Sequence, residues 1–184
     1  MPAEEDPIVI VSYDVRWPEE FRGLAATLRR ALGDRALRID HVGSTAVPEL
    51  DAKDVIDVQI SVAGLDPWEN FRVPLERIGY IFDASNDDRT QRFFREPLGH
   101  RRTHVHVRAA GSFDEQLNLL FRDFLRAHPV AARGYALEKR ALAERYRDDR
   151  EAYVRAKQPT VWRLLIEAHE WSQAVGWSPP SRDA

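Results

Sequence analysis

Two short segments carry residues able to handle phosphate and metal at readable spacings. The first is Gly43-Ser44-Thr45, followed after a proline-containing loop by Asp57 and Gln59. Glycine lets the backbone approach a ligand closely, and serine adds a hydroxyl and an N–H that suit a phosphate oxygen. Asp57 and Gln59 stand at i and i+2 of an alternating run, so their side chains share one strand face. A carboxylate there can hold a divalent cation beside that phosphate. The second segment, His104-Val105-His106-Val107, alternates two imidazoles with two valines. Neutral imidazoles paired in this way can ligate a metal. If the two strands are neighbours, Asp57, Gln59, His104 and His106 can serve one ion. The competing reading is a polar sheet face turned to solvent.

Two helical pairs add cations. Tyr135 and Lys139 are four residues apart, as are Tyr153 and Lys157, so each phenol and ammonium share a helix face. Such a pair can stack a base and neutralise a phosphate. It can equally be a tyrosine at the core margin with a snorkelling lysine. Arg92, between Arg89 and Arg95, can reach a phosphate as a guanidinium fork. His41, beside the glycine-serine turn, reads as a satisfied strand-end histidine.

The elements that must position these residues follow from periodicity. Ile8 to Tyr13 is β-branched and apolar and reads as a first strand. Trp17-Pro18 opens a helix with Phe21, Leu24, Ala25 and Leu28 on one face, ended by Gly33-Asp34. Leu37 to Val42 is a strand running into the Gly43-Ser44 turn. Val55 to Val62 alternates strictly, with Asp57, Gln59 and Ser61 opposite Ile56, Val58, Ile60 and Val62. A short helix from Asp66-Pro67 ends near Gly79. Tyr80 to Asp83, Gln91 to Arg95 and Thr103 to Arg108 are further strands. Ser112 caps a helix, with Glu115 at the capping-box position. Helices over about 130–147, 148–157 and 159–175 complete the chain, with Pro159 separating the last two. The expected fold is α/β (α+β): a mixed sheet flanked by helices over about 8–110, then a helical part over about 111–175, packed as one domain spanning 1–184.

Composition narrows the function classes. The 184 residues are 43% hydrophobic and 31% charged, a globular balance. Cysteine is absent, which excludes disulfide scaffolds, thiolate metal sites and cysteine nucleophiles. The acidic start Glu4-Glu5-Asp6 lacks a signal-peptide pattern, and no apolar run reaches the ~18 residues of a membrane span. A cytoplasmic protein without a membrane partner is expected. The net charge of −3 argues against general nucleic-acid binding. Residues 101–170 nevertheless carry 14 Lys+Arg against 10 Asp+Glu, a part of the chain able to face a phosphate-bearing ligand.

Several of these residues form a wider pattern. His41-Val-Gly-Ser-Thr-Ala-Val-Pro48, Ala52-Lys53 and Ile56-Asp57-Val58 resemble the GrpB family of uncharacterised proteins (UPF0157). So do Tyr13-Asp14, Trp17-Pro18, His104-Val-His106-Val, Phe121-Arg-Asp-Phe-Leu125 and the two Tyr-x3-Lys pairs. The resemblance runs from about residue 8 to 172. It implies the nucleotidyltransferase fold of polymerase-β-like enzymes, in which Gly43 and Ser44 match the phosphate-contacting turn and Asp57 the first metal-binding aspartate. Gln59 stands where that superfamily carries a second carboxylate, Glu49 where family members usually show glycine, and Asp54 where they usually show proline. In some bacteria a GrpB-like domain is joined to dephospho-coenzyme-A kinase, but this chain contains no P-loop.

These readings imply a protein that binds a nucleotide or another phosphorylated small molecule, with a divalent metal (Mg2+ or Mn2+, or a single softer ion) and metal-dependent nucleotidyl transfer. In that scheme Asp57 is the catalytic residue. Gly43, Ser44, Thr45, Arg92, Lys139 and Lys157 hold phosphate, and Asp57, Gln59, His104 and His106 hold metal. A non-catalytic nucleotide-binding or regulatory module and a single-metal hydrolase are the alternatives.

Overall fold

In the computed structural model, residues 7–181 are described. Helix α1 (Trp17–Leu32) carries Pro18 in its first turn and buries Trp17, Phe21, Ala25, Leu28 and Leu32 on one side. This repeat of three and four residues is the apolar stripe that drives an amphipathic helix onto a sheet. The sheet it covers has five strands in the order β1 (Arg38–Val42), β2 (Ile56–Val62), β5 (Thr103–Ala109), β4 (Gln91–Arg95) and β3 (Ile81–Phe82). Strands β2 and β5 are parallel, and every other pair is antiparallel. The sheet is therefore mixed, as expected.

Strand parity divides the sheet into two chemically distinct faces. Ile56, Val58, Ile60 and Val62 of β2, Val105 and Val107 of β5, and Phe94 of β4 join α1 and α2 (Glu69–Arg77) in the main core. The alternate residues, Asp57, Gln59 and Ser61 with His104 and His106, face the other way. Helices α3 (Phe113–Ala127), α4 (Pro129–Arg145) and α5 (Arg150–Val175) lie on that side, around a second core of Leu120, Phe124, Tyr135, Ala136, Leu164 and Ala168.

A buried polar clamp docks α3 on the sheet. The Glu115 carboxylate accepts from Ser61 Oγ at 2.6 Å and from the Gly111 N–H at 3.0 Å. Gln59 Nε2 donates to the Glu115 carbonyl at 3.1 Å, and Asn118 Nδ2 donates to Gln59 Oε1 at 2.9 Å. Ser112 caps α3 by accepting from the Glu115 N–H. The Glu115 carboxylate thus serves Ser61 and Gly111, so the expected reciprocal capping box gives way to tertiary bonding. Arg122, fully buried, continues the clamp. It donates to the His41 carbonyl at 3.0 Å, pairs with Asp123 at 2.8 Å and lies 3.8 Å from the buried Asp40 carboxylate.

Two expectations about elements are corrected. The Ile8–Tyr13 stretch is extended but forms no ladder, only an isolated bridge between Val11 and Ala52. Ile8 and Ile10 pack against Ala143 and Tyr153, so the β-branched run covers helices instead of extending the sheet. The two C-terminal helices are one, α5, with Pro159 inside it. Proline removes one helical hydrogen bond and crowds the preceding turn. Here Tyr153 on one side of it and Leu164 and Ala168 on the other are each anchored in a core, and packing outweighs the local penalty. Glu49, where glycine is usual in the family pattern, has φ +63, in the left-handed region that glycine adopts most cheaply.

Without Arg122 the buried His41 carbonyl loses that donor, while Asp40 keeps Arg38 at 2.9 Å and Asp123 keeps Arg126 at 3.7 Å, so the cost is that of one buried polar group, about 1–3 kcal/mol. Arg122→Met should therefore destabilise the protein by an amount in that range, read from urea unfolding midpoints. A loss within error of zero would show that the clamp is dispensable.

Candidate functional site

The Gly43-Ser44 turn meets β2 where the chain leaves β1. Gly43 has φ +70, and a Cβ at this position would overlap the Asp57 carboxylate. Only glycine allows both the conformation and the approach. Ser44 then opens a short 3-10 turn, Ser44–Ala46. Its hydroxyl accepts a 2.9 Å hydrogen bond from Lys139 Nζ, which also donates to the Asp51 carbonyl at 2.6 Å.

A cavity of about 300 Å3 opens between this turn and helices α4 and α5. Lys53, Lys139, Lys157 and Arg150 line it, with Asp57 as the acidic residue among them. The sequence contains only three lysines among 27 cations, and all three are here. Burial pushes the Lys139 ammonium down to about 7, reinforced by the charge of Lys157. Lys53 falls to about 8 for the same first reason, with Arg150 adding to it, and burial lowers Lys157 as well. Excess positive charge held out of water is a standing demand for an anion.

Beside the cavity, one ligand atom each from Asp57, His104 and His106 lie within 4.8 Å of one another. His104 Nδ1 is 3.2 Å and His106 Nε2 3.4 Å from Asp57 Oδ1. Burial alone would raise the Asp57 carboxyl. The hydrogen bonds and charge of the two imidazoles outweigh it and hold the group well below the usual carboxylate range. His106 Nδ1 lies 2.8 Å from Gln91 Oε1. An amide oxygen accepts only, so His106 donates to it through Nδ1, which leaves Nε2 as the atom turned to Asp57. Phe93 packs against both imidazoles, with ring centroids 5.2 and 5.1 Å away.

This donor set suits one ion. Two imidazoles and one carboxylate favour a borderline transition metal, whereas a pair of magnesium ions needs several carboxylates. The two-metal arrangement that the resemblance implied does not fit, because Gln59 is an amide and is unavailable. Its side chain is fully buried, and both ends of its amide are bonded to α3. The expectation of Gln59 as a ligand is thereby corrected: the amide belongs to the clamp that docks α3.

Arg92 is a second correction. It shares a β4 face with Phe94, which lies in the main core, while Gln91 and Phe93 take the face of the histidines. Its guanidinium bonds to the Arg89 and Gln91 carbonyls, on the wrong face of the strand for the cavity. Thr45 lines the cavity, but its hydroxyl is spent on the Val55 carbonyl at 3.2 Å and on His41 Nε2 at 3.0 Å. His41 itself is buried against Phe21, and burial lowers it to about 3, so it is the neutral strand-end residue expected. Lys53, Arg150, Gln91 and Phe93 carry weight that spacing alone did not assign. Lys53 stands in the Ala52-Lys53 part of the family pattern, which gave it no role.

A family profile described as GrpB protein matches residues 7–167. The chain belongs to the GrpB family. A UPF0157 protein of Pseudomonas aeruginosa is 46% identical over 171 residues, covering 90% of this GrpB chain and 69% of the relative. A dephospho-CoA kinase of Mycolicibacterium paratuberculosis is 35% identical over 198 aligned positions. Those positions cover 94% of this chain but 49% of the kinase, so the GrpB chain spans about half that relative's length. The crystal structure of the conserved protein GrpB from Enterococcus faecalis superposes with a TM-score of 0.81 at 29% identity, covering 90% of this chain and 99% of that one. The Cid1 poly(U) polymerase superposes at 0.51 with 12% identity, covering 74% and 43%, a likeness of fold. The GrpB chain thus has an α+β fold similar to nucleotidyltransferases. Among the described residues, no helix is long and apolar enough to cross a membrane.

Two outcomes follow. Because folding lowers the Lys139 and Lys53 ammoniums, the unfolded chain binds more protons between pH 7 and 10, and stability must rise with pH across that window. Above about pH 10 the buried tyrosines, raised by burial, oppose the trend. Urea midpoints of the parent and of Lys139→Met test this: the variant should show a visibly shallower rise, and an unchanged slope would count against a depressed Lys139. Separately, Gln91→Leu should weaken manganese or zinc binding about 10–100-fold through loss of the outer hydrogen bond to His106. Competition with a chelating dye reads it, and parent-like affinity would remove Gln91 from the site.

Proposed function

We propose that this protein binds a nucleotide or another phosphorylated small molecule in the lysine-lined cavity and, with the help of one divalent cation, transfers the nucleotidyl group of a nucleoside triphosphate to an acceptor nucleophile (water in its absence), the α–β phosphoanhydride bond breaking and pyrophosphate leaving. The observation that carries this reading is the contact of Lys139 Nζ with Ser44 Oγ at 2.9 Å, beside Asp57 under Gly43. A hydroxyl, a buried ammonium and a carboxylate then meet at one end of a cavity rich in positive charge. Ser44 and Lys139 would hold phosphate oxygens, with Lys53, Lys157 and Arg150 offsetting their charge. Asp57, His104 and His106 would hold the cation, which when bound supplies charge neutralisation at the reacting phosphate. Asp57 is the residue shared by both halves of the site.

The nucleotidyltransferase-like fold supports a nucleotide, and the kinase names among the relatives make adenine nucleotides and coenzyme-A precursors sensible first probes. One observation favours the non-catalytic alternative. With Gln59 committed to α3, the second carboxylate of a two-metal centre is missing. A binding module would take up ATP and leave it intact.

Calorimetry with ATP and assay of pyrophosphate release in manganese decide between these. Loss of a charged hydrogen-bond donor costs about 1.5–3 kcal/mol, so Lys139→Met should weaken ATP binding roughly 10- to 100-fold. Asp57→Asn should abolish manganese-dependent pyrophosphate release. Binding without release in the parent selects the module, and absence of binding by any phosphorylated compound overturns the proposal.

A further inference from the structure

The cavity's lining says what part of a ligand it can recognise. Base recognition in proteins needs an aromatic face to stack on and hydrogen-bonding groups set against the base edge. The two tyrosines of the cavity have their rings engaged. The ammoniums of Lys53 and Lys157 lie over the Tyr153 ring, 5.8 and 5.6 Å from its centroid. Lys139 lies 4.7 Å over Tyr135, whose ring also meets Phe121 edge-on at 5.9 Å. Of the two readings of each Tyr–Lys pair, a base stack with a phosphate holder does not match this geometry, and a tyrosine packed against its own lysine does: ring and ammonium hold each other.

Edge-reading groups are also missing. Among the described residues, no asparagine, glutamine or tryptophan lines the cavity. The Thr45 hydroxyl is taken up by Val55 and His41. What remains is Ser44, the two tyrosine hydroxyls, His104 with Nδ1 held at Asp57, four cations and Asp57, with no amide side chain able both to donate and to accept. The volume, about 300 Å3, sits at the lower end of the ~300–1,000 Å3 of small-molecule pockets. A compact, multiply charged group suits such a space, and a full nucleoside leaves part of itself outside.

We infer that the cavity recognises a chain of two or more phosphates as such, and is indifferent to the base or other organic group the chain carries. This rests on the phosphate-ligand reading above and narrows it to a substrate class: polyphosphate esters and inorganic polyphosphates. Specificity among bases is then left to groups outside the cavity, or is absent.

The test is calorimetry at pH 7 on metal-free protein with orthophosphate, pyrophosphate and triphosphate, and with AMP, ATP, GTP, CTP and UTP. Each added phosphate brings another charge to the lysines, so triphosphate should bind about tenfold or more tighter than orthophosphate. The four nucleoside triphosphates should fall within about threefold of one another and of inorganic triphosphate, because a missing hydrogen bond or stack of ~1 kcal/mol would already exceed that. Lys157→Met should reduce triphosphate affinity more than orthophosphate affinity. One nucleotide bound more than tenfold better than the others, or AMP bound as well as ATP, overturns the inference. Binding of ATP without binding of inorganic triphosphate overturns it while leaving the proposed function standing. If none of these compounds binds, the inference falls, and the proposed function falls with it only when no phosphorylated compound binds in manganese either.

Discussion

The parallel pairing of β2 with β5 sets the place of every functional group. Asp57 pairs with His104, Gln59 with His106 and Val58 with Val105, so carboxylate and imidazoles fall on one face while the valines fall on the other. Side chains alternate with a period of two, and a slip of one residue would send Asp57 into the apolar core and Val58 toward the cations. The register is held from both sides. Below, Ile56, Val58 and Ile60 are buried against α1 and α2. Above, Gln59 and Ser61 bond to the first turns of α3.

That clamp explains how a strand-rich half and a helical half make one site. The polar face of β2 presents a buried amide and hydroxyl, which need partners once water is removed. Glu115 and Asn118 supply them, and α3 is fixed over the sheet. Helices α4 and α5 then pack on α3, bringing Lys139, 95 positions from Ser44, and the still more distant Lys157 to the Gly43-Ser44 turn. The polar residues that look like ligands on one strand therefore divide their duties. Asp57 faces the cavity, and Gln59 and Ser61 hold the roof.

Much of this was legible in the sequence wherever the pattern was local. The strict alternation of 55–62 and of 103–108 reveals two strands and the polar face of each, while the meeting of Asp57 with His104 and His106 needs the β2–β5 pairing, which parity does not give. The Gly43-Ser44 turn is readable because strand and turn adjoin. Arg92 shows the limit of the same logic. Three arginines at spacing three suggest a patch, but on a strand that spacing alternates faces, and the middle one points away. Gln59 looked like a ligand because parity puts it beside Asp57; its true partners come from α3, more than fifty residues later. Pro159 marks a helix end locally, and only the cores on either side of it keep α5 continuous. Gln91 and Arg150 act through contacts that no spacing encodes.

The lysine distribution has a chemical consequence of its own. With arginine used nearly everywhere else, the ε-amines of this protein are concentrated in a single cavity, two of them pushed down to about 7 and 8 by burial. An amine with a lowered proton affinity is a stronger nucleophile at neutral pH than an ordinary surface lysine. Small acylating reagents and reductive methylation, which on most proteins scatter over the exterior, would on this one find their ε-amines only in the lysine-lined cavity. Coupling to a surface through lysine would be correspondingly poor, since Lys139 is buried, and an anion of the proposed kind seated in the cavity would shield the lysines from modification.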